Sequence, residues 1–181
     1  MPREAIPSGY LIRPSRASDL AHLGAIERAA ADLFTGMNFA EAGVLEDVTE
    51  LEDFEEAHAD ENLWIAAAPS GAPVGFAFVE ELGGNAHLDE LDVHPDHGRR
   101  GLGAALVRAV CAAARRRGLP AVTLTTFRDV AWNAPFYEKL GFRALAADER
   151  SPELTALVRS EAQRGLDPEL RVVMRWTAQA P

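Results

Sequence analysis

The sequence predicts an α/β (α+β) fold with a mixed central β-sheet and helices on both faces. Short apolar runs rich in β-branched and aromatic residues alternate with longer stretches of helical periodicity. Turns rich in glycine join consecutive strands in the first half, which predicts antiparallel hairpins. A long helix over 101–117 then separates two strands, which predicts a parallel crossover. The 181 residues suffice for one core, so we expect a single domain over 1–181, with a flexible N-terminus over 1–9 and an extra helical excursion over 146–168.

The first half of the chain predicts two helices and four strands. Ser18 and Asp19 are candidate N-caps of the first helix, and the second helix covers 46–58. Turn residues at 69–73 and 83–85 separate the later strands. The inward helical positions are Leu23, Ile26, Ala30 and Leu33, then Leu45, Val48, Leu51 and Phe54. The strands cover 10–13, 63–68, 74–78, where Val74, Phe76 and Phe78 alternate as in a half-buried strand, and 87–93, which ends before Pro95.

The second half predicts three helices and two strands. The helix over 101–117 has leucine and valine side chains on one face, arginines that complement the dipole in its last turn, and Gly118 at its end. Ser151 as N-cap and Pro152 in the first turn start the last helix, which ends near Gly165. The other elements are a strand over 121–126, a short helix over 133–140 and a strand over 170–176.

Composition narrows the classes of partner. The formal net charge of −10 opposes binding to nucleic acid, since affinity for that backbone comes from Lys and Arg. It suits a cationic partner better. Many of the acidic residues lie between Glu41 and Glu61, where they form either a solvated helix face or an attractive surface.

Other features of the composition bear on location. The single cysteine, Cys111, forms no intrachain disulfide, so a cytoplasmic location is expected, and its place among alanines predicts a small core residue. No apolar run approaches the roughly 20 residues that span a bilayer, so no membrane partner is expected. Residues 1–9 contain no apolar stretch typical of a signal peptide.

The most informative segment is a glycine-rich turn between a strand and a helix, at residues 91–104. A helix N-terminus offers unpaired N–H groups and positive potential, and glycines let an anion approach the backbone. Arg99 and Arg100 add cationic donors, so the segment suits a pyrophosphate. The P-loop pattern is absent, and the Rossmann pattern fails because Leu106 stands where its third glycine is needed.

This segment resembles the acetyl-CoA motif of the GNAT superfamily, Gln/Arg-x-x-Gly-x-Gly/Ala after a strand that ends Val-x-Pro. Gly98 at the first position departs from the motif, whereas the backbone of 99–104 matches it. A second family motif is similar to residues 133–142, although the spacing between Asn133 and Tyr137 is compressed, so Tyr137 carries over more securely. The resemblance extends over about 10–176, and its specific part is 87–142.

The resemblance implies an N-acetyltransferase that uses acetyl-CoA as co-substrate and needs no metal. The acceptor would be a primary amine (a small amine, a polyamine or a basic peptide end) that attacks directly in a ternary complex. A backbone N–H near Val93 would polarise the thioester carbonyl. Tyr137 would protonate the leaving thiolate, with packing in the core as the alternative. The implied cofactor-binding residues are Leu91, Asp92, Val93, Arg99, Arg100, Gly101, Leu102, Gly103, Ala104, Asn133 and Phe136.

A base is needed because a lysine-like amine has a pKa of about 10.4. The candidates on the strand are His87, Asp89 and Glu90, with Asp92 behind them. His87 and Asp89 share one face of a regular strand, and some family members place histidines or a glutamate at the matching positions, so this pair is preferred. Glu90 becomes the better choice if a bulge shifts the pleat. The alternative is a half-exposed polar face without chemistry.

Two other functions compete with the enzyme. A non-catalytic acetyl-CoA-binding regulatory module would keep the turn without a base or thiol acid. An adaptor that binds phosphate or nucleic acid through its two arginines is opposed by the acidic charge. His94, Asp96 and His97 match no zinc spacing, so no metal is expected. The sequence leaves open the acceptor, a homodimer, and the role of the helix over 151–165.

Overall fold

The computed structural model describes residues 6–36 and 48–178. Within them lies a mixed seven-stranded sheet of order β1-β2-β3-β4-β5-β7-β6. The strands are β1 (Leu11–Pro14), β2 (Leu63–Ala67), β3 (Pro73–Leu82), β4 (Asn85–Val93), β5 (Ala121–Phe127), β6 (Arg143–Ala144) and β7 (Arg171–Thr177). The helices are α1 (Ala17–Leu20), α2 (Leu23–Ala31), α3 (Leu51–Ala59), α4 (Leu102–Arg116), α5 (Ala134–Lys139) and α6 (Pro152–Gln163).

The strand pairing confirms the predicted α/β class with a mixed sheet. Four pairs of strands are antiparallel: β1–β2, β2–β3, β5–β7 and β6–β7. The strands β4 and β5 are parallel. The helix α4 connects β4 to β5, as the crossover prediction required. The two-residue strand β6 was not predicted, because so short a strand has no periodicity of its own.

The chain divides into two compact units, of which the first contains residues 6–35, 48–80 and 89–110. Its core is an apolar cluster from α1, α2, α3, β2 and β3, in which the rings of Phe54 and Phe76 meet edge to face at 5.3 Å. Asp19 is the third residue of α1 rather than its cap, because its buried carboxylate accepts bonds of 2.6 and 2.9 Å from Arg13. The N-cap prediction for Ser18 or Asp19 is therefore wrong, and Arg16 takes that position.

Three burial predictions in this unit are also wrong. Leu33 is 48% exposed because the helix tightens to a 3₁₀ turn at Asp32–Phe34 and loses the helical period. Leu51 is 50% exposed because it is the first residue of α3, which begins later than predicted. Residues 74–79 of β3 are all buried, so the strand is covered on both faces rather than half-buried. Leu45 and the predicted helix start at Glu46 lie outside the described residues.

The second unit contains residues 81–88 and 111–178. Its strands β5 and β7 pair along their whole length, from Ala121↔Thr177 to Phe127↔Arg171. The helix α6 begins as predicted, with Ser151 Oγ accepting a bond from Leu154 N at 3.3 Å. Cys111 is 8% exposed, as expected of a core residue, and burial raises the pKa of its thiol to about 12.

Candidate active site

The turn between β4 and α4 has two residues with left-handed backbone. The strand ends at Val93, and His94 N donates to Val74 O at 2.9 Å. A 3₁₀ turn follows at Pro95–His97. Arg99 then has a φ of +56° and Gly101 a φ of +76°. Left-handed residues in a turn can point successive N–H groups to one side and so form a concave anion site.

The first turn of α4 adds further donors to this cradle. Its first intrahelical bond runs from Ala105 N to Gly101 O at 3.0 Å, so the N–H groups of Leu102, Gly103 and Ala104 have no acceptor within the helix. A Cβ at Gly101 would meet no atom within 4 Å, so that side of the turn is open. Arg99 and Arg100 are both exposed beside it. This chemistry fits a pyrophosphate.

Gly75 on β3 positions the end of β4 and was missed from the sequence. A Cβ at Gly75 would lie 2.7 Å from Asp92 O and 3.2 Å from Val93 Cα. Only glycine therefore allows the two backbones to approach so closely. A glycine inside an apolar alternating strand was the signal, because such a residue often marks close backbone approach.

Three carboxylates in the first unit influence one another. Glu27 of α2 is 8% exposed and accepts bonds from Thr49 N and Thr49 Oγ1 at 2.9–3.1 Å. Burial raises its pKa. The pKa of Asp92 is raised well above its ordinary value by burial and by the charges of Glu90 and Glu27. This face of β4 is thus short of positive charge, and it favours a cation or a proton.

His87 is enclosed in the second unit. It is 1% exposed, and its Nδ1 lies 2.9 Å from Thr123 Oγ1. Burial lowers its pKa to about 4; nearby Arg171 acts in the same direction and Glu161 opposes it. The imidazole is therefore neutral at pH 7 and is a weak base. The two other base candidates on this strand differ from His87 in burial: Asp89 is exposed and Glu90 is partly exposed.

A buried ion pair between Glu161 and Arg171 was not predicted from the sequence. Glu161 of α6 is 6% exposed, and its Oε1 accepts bonds from Arg171 Nη2 at 2.8 Å and from Thr125 Oγ1 at 2.5 Å. The Arg171 guanidinium also lies 4.8 Å from the centre of the Phe127 ring. Glu161 thus connects α6 to two strands: to β5 through Thr125, 36 residues away in sequence, and to β7 through Arg171, 10 residues away.

The second motif forms the loop and short helix after β5. Asn133 Nδ2 donates to Thr126 Oγ1 at 2.8 Å, which fixes the start of α5 on the strand. Tyr137 is 9% exposed, and its ring meets those of Phe136 and Phe142 edge to face at 5.0 and 5.6 Å. Phe142 N donates to Tyr137 O at 3.1 Å, so a backbone hydrogen bond links the end of the motif to the helix α5.

Comparison with known proteins identifies the family. The profile of the Acetyltransferase (GNAT) family matches residues 28–142, more than half of the chain and inclusive of both motifs. The chain belongs to this family. The GNAT resemblance of the sequence is thereby confirmed.

Relatives and solved structures agree with this GNAT assignment. A glucosamine 6-phosphate N-acetyltransferase of Trypanosoma brucei brucei is 41% identical over 83 residues, which are 42% of this chain and 54% of that protein. A mycothiol acetyltransferase of Clavibacter michiganensis subsp. michiganensis is 36% identical over 86 residues, which are 48% of this chain and 28% of that protein. The chain thus spans about half of the first relative's length and about a quarter of the second's.

Solved GNAT structures share the fold over nearly the whole chain. The PaiA N-acetyltransferase from Thermoplasma acidophilum, in complex with coenzyme A, has a TM-score of 0.68 at 16% identity and covers 93% of this chain and 99% of its own. The ribosomal-protein-S18-alanine N-acetyltransferase from Escherichia coli has a TM-score of 0.63 at 20% identity, with 95% and 96% covered. The predicted GNAT-like fold is confirmed.

The two units of this GNAT chain hold different parts of the predicted site. The first unit contains the strand residues from Asp89 to Val93 and the whole turn up to Ala104. The second contains His87, Asn133, Phe136 and Tyr137. The predicted pair of His87 and Asp89 is therefore divided between the units, and the bond described for His87 goes to Thr123.

Other predictions concern charge, metal and membrane. The acidic residues of α3 from Glu52 to Glu56 are exposed, as on a solvated helix face, while residues 41–47 of the acidic segment lie outside the described part. Within residues 6–36 and 48–178, no group of three His, Cys, Asp or Glu side chains is placed to hold a metal ion. In the same ranges, no helix has the length and apolar character to cross a bilayer.

Proposed function

We propose that this chain is an acetyl-CoA-dependent N-acetyltransferase that transfers the acetyl group to a primary amine by direct attack in a ternary complex. The observation that carries the proposal is the turn at Arg99 and Gly101, whose left-handed residues and free helical N–H groups suit a pyrophosphate. The family match supplies the reaction class. Catalysis of this kind depends mainly on the geometry of donors around the reacting carbonyl.

The cofactor residues act mainly through their backbone. The N–H groups of residues 99–104 would bind the pyrophosphate, with Arg99 and Arg100 as cationic donors. The ladder between β4 and β5 comprises Ala86↔Val122 and His87↔Thr123, so Leu91 and Val93 lie beyond the paired section. Their backbone groups would bind the amides of the pantetheine arm, and the N–H near Val93 would polarise the thioester carbonyl. Asn133 and Phe136 are proposed as further contacts from the second motif.

For the base, we favour Glu90 together with Asp92 over His87 with Asp89. A base accepts a proton more readily when its pKa is raised, and burial with neighbouring carboxylates raises that of Asp92. The same environment would stabilise the ammonium form of an incoming amine. His87 has the opposite properties, since it is buried and has a pKa of about 4.

The proton balance uses one group at each end. As the amine nitrogen bonds to the acetyl carbon, its proton passes to the carboxylate pair of Glu90 and Asp92, directly or through a water molecule. The carbon–sulfur bond breaks, and the Tyr137 hydroxyl protonates the departing thiolate. A phenol with a pKa of about 10 performs this step only when it is held in place, and the edge-to-face contacts with Phe136 and Phe142 hold the ring.

We propose a cationic amine as acceptor. Glu27 of α2 and Glu90 of β4 both act on the carboxyl group of Asp92, and the exposed carboxylates of α3 belong to the same unit. Such charges raise the local concentration of cations, by an amount that falls with salt. The affinity for a diamine or polyamine should therefore weaken with salt, and should weaken again when Glu55 and Glu56 are replaced by glutamine.

A screen of primary amines with acetyl-CoA, read by released thiol, tests the function. We expect turnover with at least one cationic amine, and a loss of roughly 10²-fold or more in Glu90→Gln. Glu169→Gln, an exposed carboxylate in the second unit, is the matched control. Binding of acetyl-CoA without turnover on any amine would instead support the regulatory module, and absence of binding would reject both.

A further inference from the structure

Tyr10 contacts the phosphate-binding turn on both sides of its left-handed arginine. The Tyr10 hydroxyl lies 2.8 Å from His97 Nδ1, across 87 residues of sequence. The face of its ring lies 5.9 Å from Arg100 Cζ, within the range of a cation–π contact. His97 and Arg100 flank Gly98 and Arg99, the segment in which φ becomes positive.

The turn at Arg99 needs contacts that stabilise its left-handed backbone. A left-handed backbone is disfavoured for a residue with a Cβ, and it persists where the surroundings over-determine it. Local bonds supply part of this constraint: His97 N donates to His94 O at 2.8 Å, Gly98 N to Pro95 O at 3.0 Å, and Arg100 Nη2 to Asp96 O at 3.3 Å. Tyr10 adds contacts from a distant part of the same unit.

The backbone of Tyr10 is itself fixed by a tight turn. Tyr10 N donates to Pro7 O at 3.2 Å, and Gly9 has a φ of +89°. A Cβ at Gly9 would lie 2.9 Å from Pro69 Cγ, so the turn packs directly against that proline. The ring is therefore presented to the turn from a defined position.

We propose that Tyr10 is a positioning residue for the pyrophosphate of acetyl-CoA. Its hydroxyl holds His97 and its ring holds Arg100, and the N–H groups between them are preorganised for the anion before it binds. The inference rests on the proposed function, in which this turn binds the cofactor. Tyr10 contacts none of the reacting atoms in this scheme, so its loss affects affinity and not the chemical step.

Tyr10→Phe removes the hydroxyl and keeps the ring. We expect KM for acetyl-CoA to rise about three- to ten-fold with kcat within about two-fold, the range that one hydrogen bond supplies at about 1.4 kcal/mol per tenfold. KM for S-acetylpantetheine, which lacks the pyrophosphate, should not change. The neighbouring variant Leu11→Ala, at a position 55% exposed, should leave both values as in the wild type.

His97→Ala removes the partner of the hydroxyl and provides a second test. It should reproduce the selective rise, and the double variant with Tyr10→Phe should not add to it. Equal losses with both acyl donors, an additive double variant, or an unchanged KM in Tyr10→Phe would each overturn the proposal. A wild-type protein that fails to bind acetyl-CoA would overturn the proposed function first, so the two failures are distinguishable.

Discussion

Replacing Gly75 with alanine tests how the end of β4 is positioned. The added Cβ would lie 2.7 Å from Asp92 O, whereas ordinary contacts begin near 3.4 Å, so the two backbones must separate by about 0.7 Å. Both are backbone of a buried sheet, so neither yields at low cost. Overpacking of this kind costs about 1–3 kcal/mol, which for a chain of this size lowers Tm by about 2–12 °C.

The same displacement should impair function. Val93 carries the N–H proposed to polarise the thioester, and a misplacement approaching 1 Å can reduce the rate by about 10²-fold. We expect kcat/KM for acetyl-CoA to fall about 10- to 100-fold, measured at a temperature at which the variant is fully folded.

Gly24→Ala is the matched control for this experiment. Its Cβ would lie 3.4 Å from Val48 Cγ1, an ordinary contact, and alanine is favoured over glycine inside a helix. This variant should be as stable as the wild type or more so, with unchanged kinetics. If Gly75→Ala kept the wild-type Tm and kcat/KM, the close approach of β3 and β4 would not position the site.

Three further predictions concern the second unit. Tyr137→Phe should lower kcat by about 10²-fold or more and change the Kd for acetyl-CoA little; an unchanged kcat, with chemistry rate-limiting, would leave Tyr137 a packing role. The pKa of His87 is lowered in the folded state, so stability is complete above about pH 6.5 and declines by up to about 3 kcal/mol towards pH 4, a slope that denaturant titrations should find reduced in His87→Asn. Glu161→Ala should cost about 3–5 kcal/mol of unfolding free energy because Arg171 is left buried without its partner, and Arg171→Met added to it should restore part of that loss.

The order of elements and the turn before α4 could be predicted because both depend on local sequence. Periodicity places α4 within one residue at each end, and the Ser151–Pro152 start of α6 follows from capping chemistry alone. The N-cap of α1 was misplaced because the Asp19 carboxylate accepts bonds from Arg13 and from the backbone N–H of Arg16, contacts that no helical pattern records.

The candidate site was predictable only in part, because burial depends on distant residues. Strand alternation places His87 correctly on β4, yet its low pKa arises from burial and from the charge of Arg171, 84 positions further along the chain. The preference for Glu90 and Asp92 likewise needs Glu27 on α2 beside them. The glycine at position 75 inside an apolar strand is visible in the sequence. The residues that it approaches, Asp92 and Val93, become known only when β3 and β4 are paired.

Cys111 has a practical consequence for the assays. It is the chain's one cysteine, is 8% exposed and has a pKa of about 12, so almost none of it is the reactive thiolate near neutral pH. A disulfide reagent added to the folded protein should therefore record only the coenzyme A released by turnover. A slow rise of one equivalent of protein thiol in the absence of an amine would then report how often α4 opens to solvent. The same disulfide reagent thus measures catalysis in seconds to minutes and local unfolding over longer times.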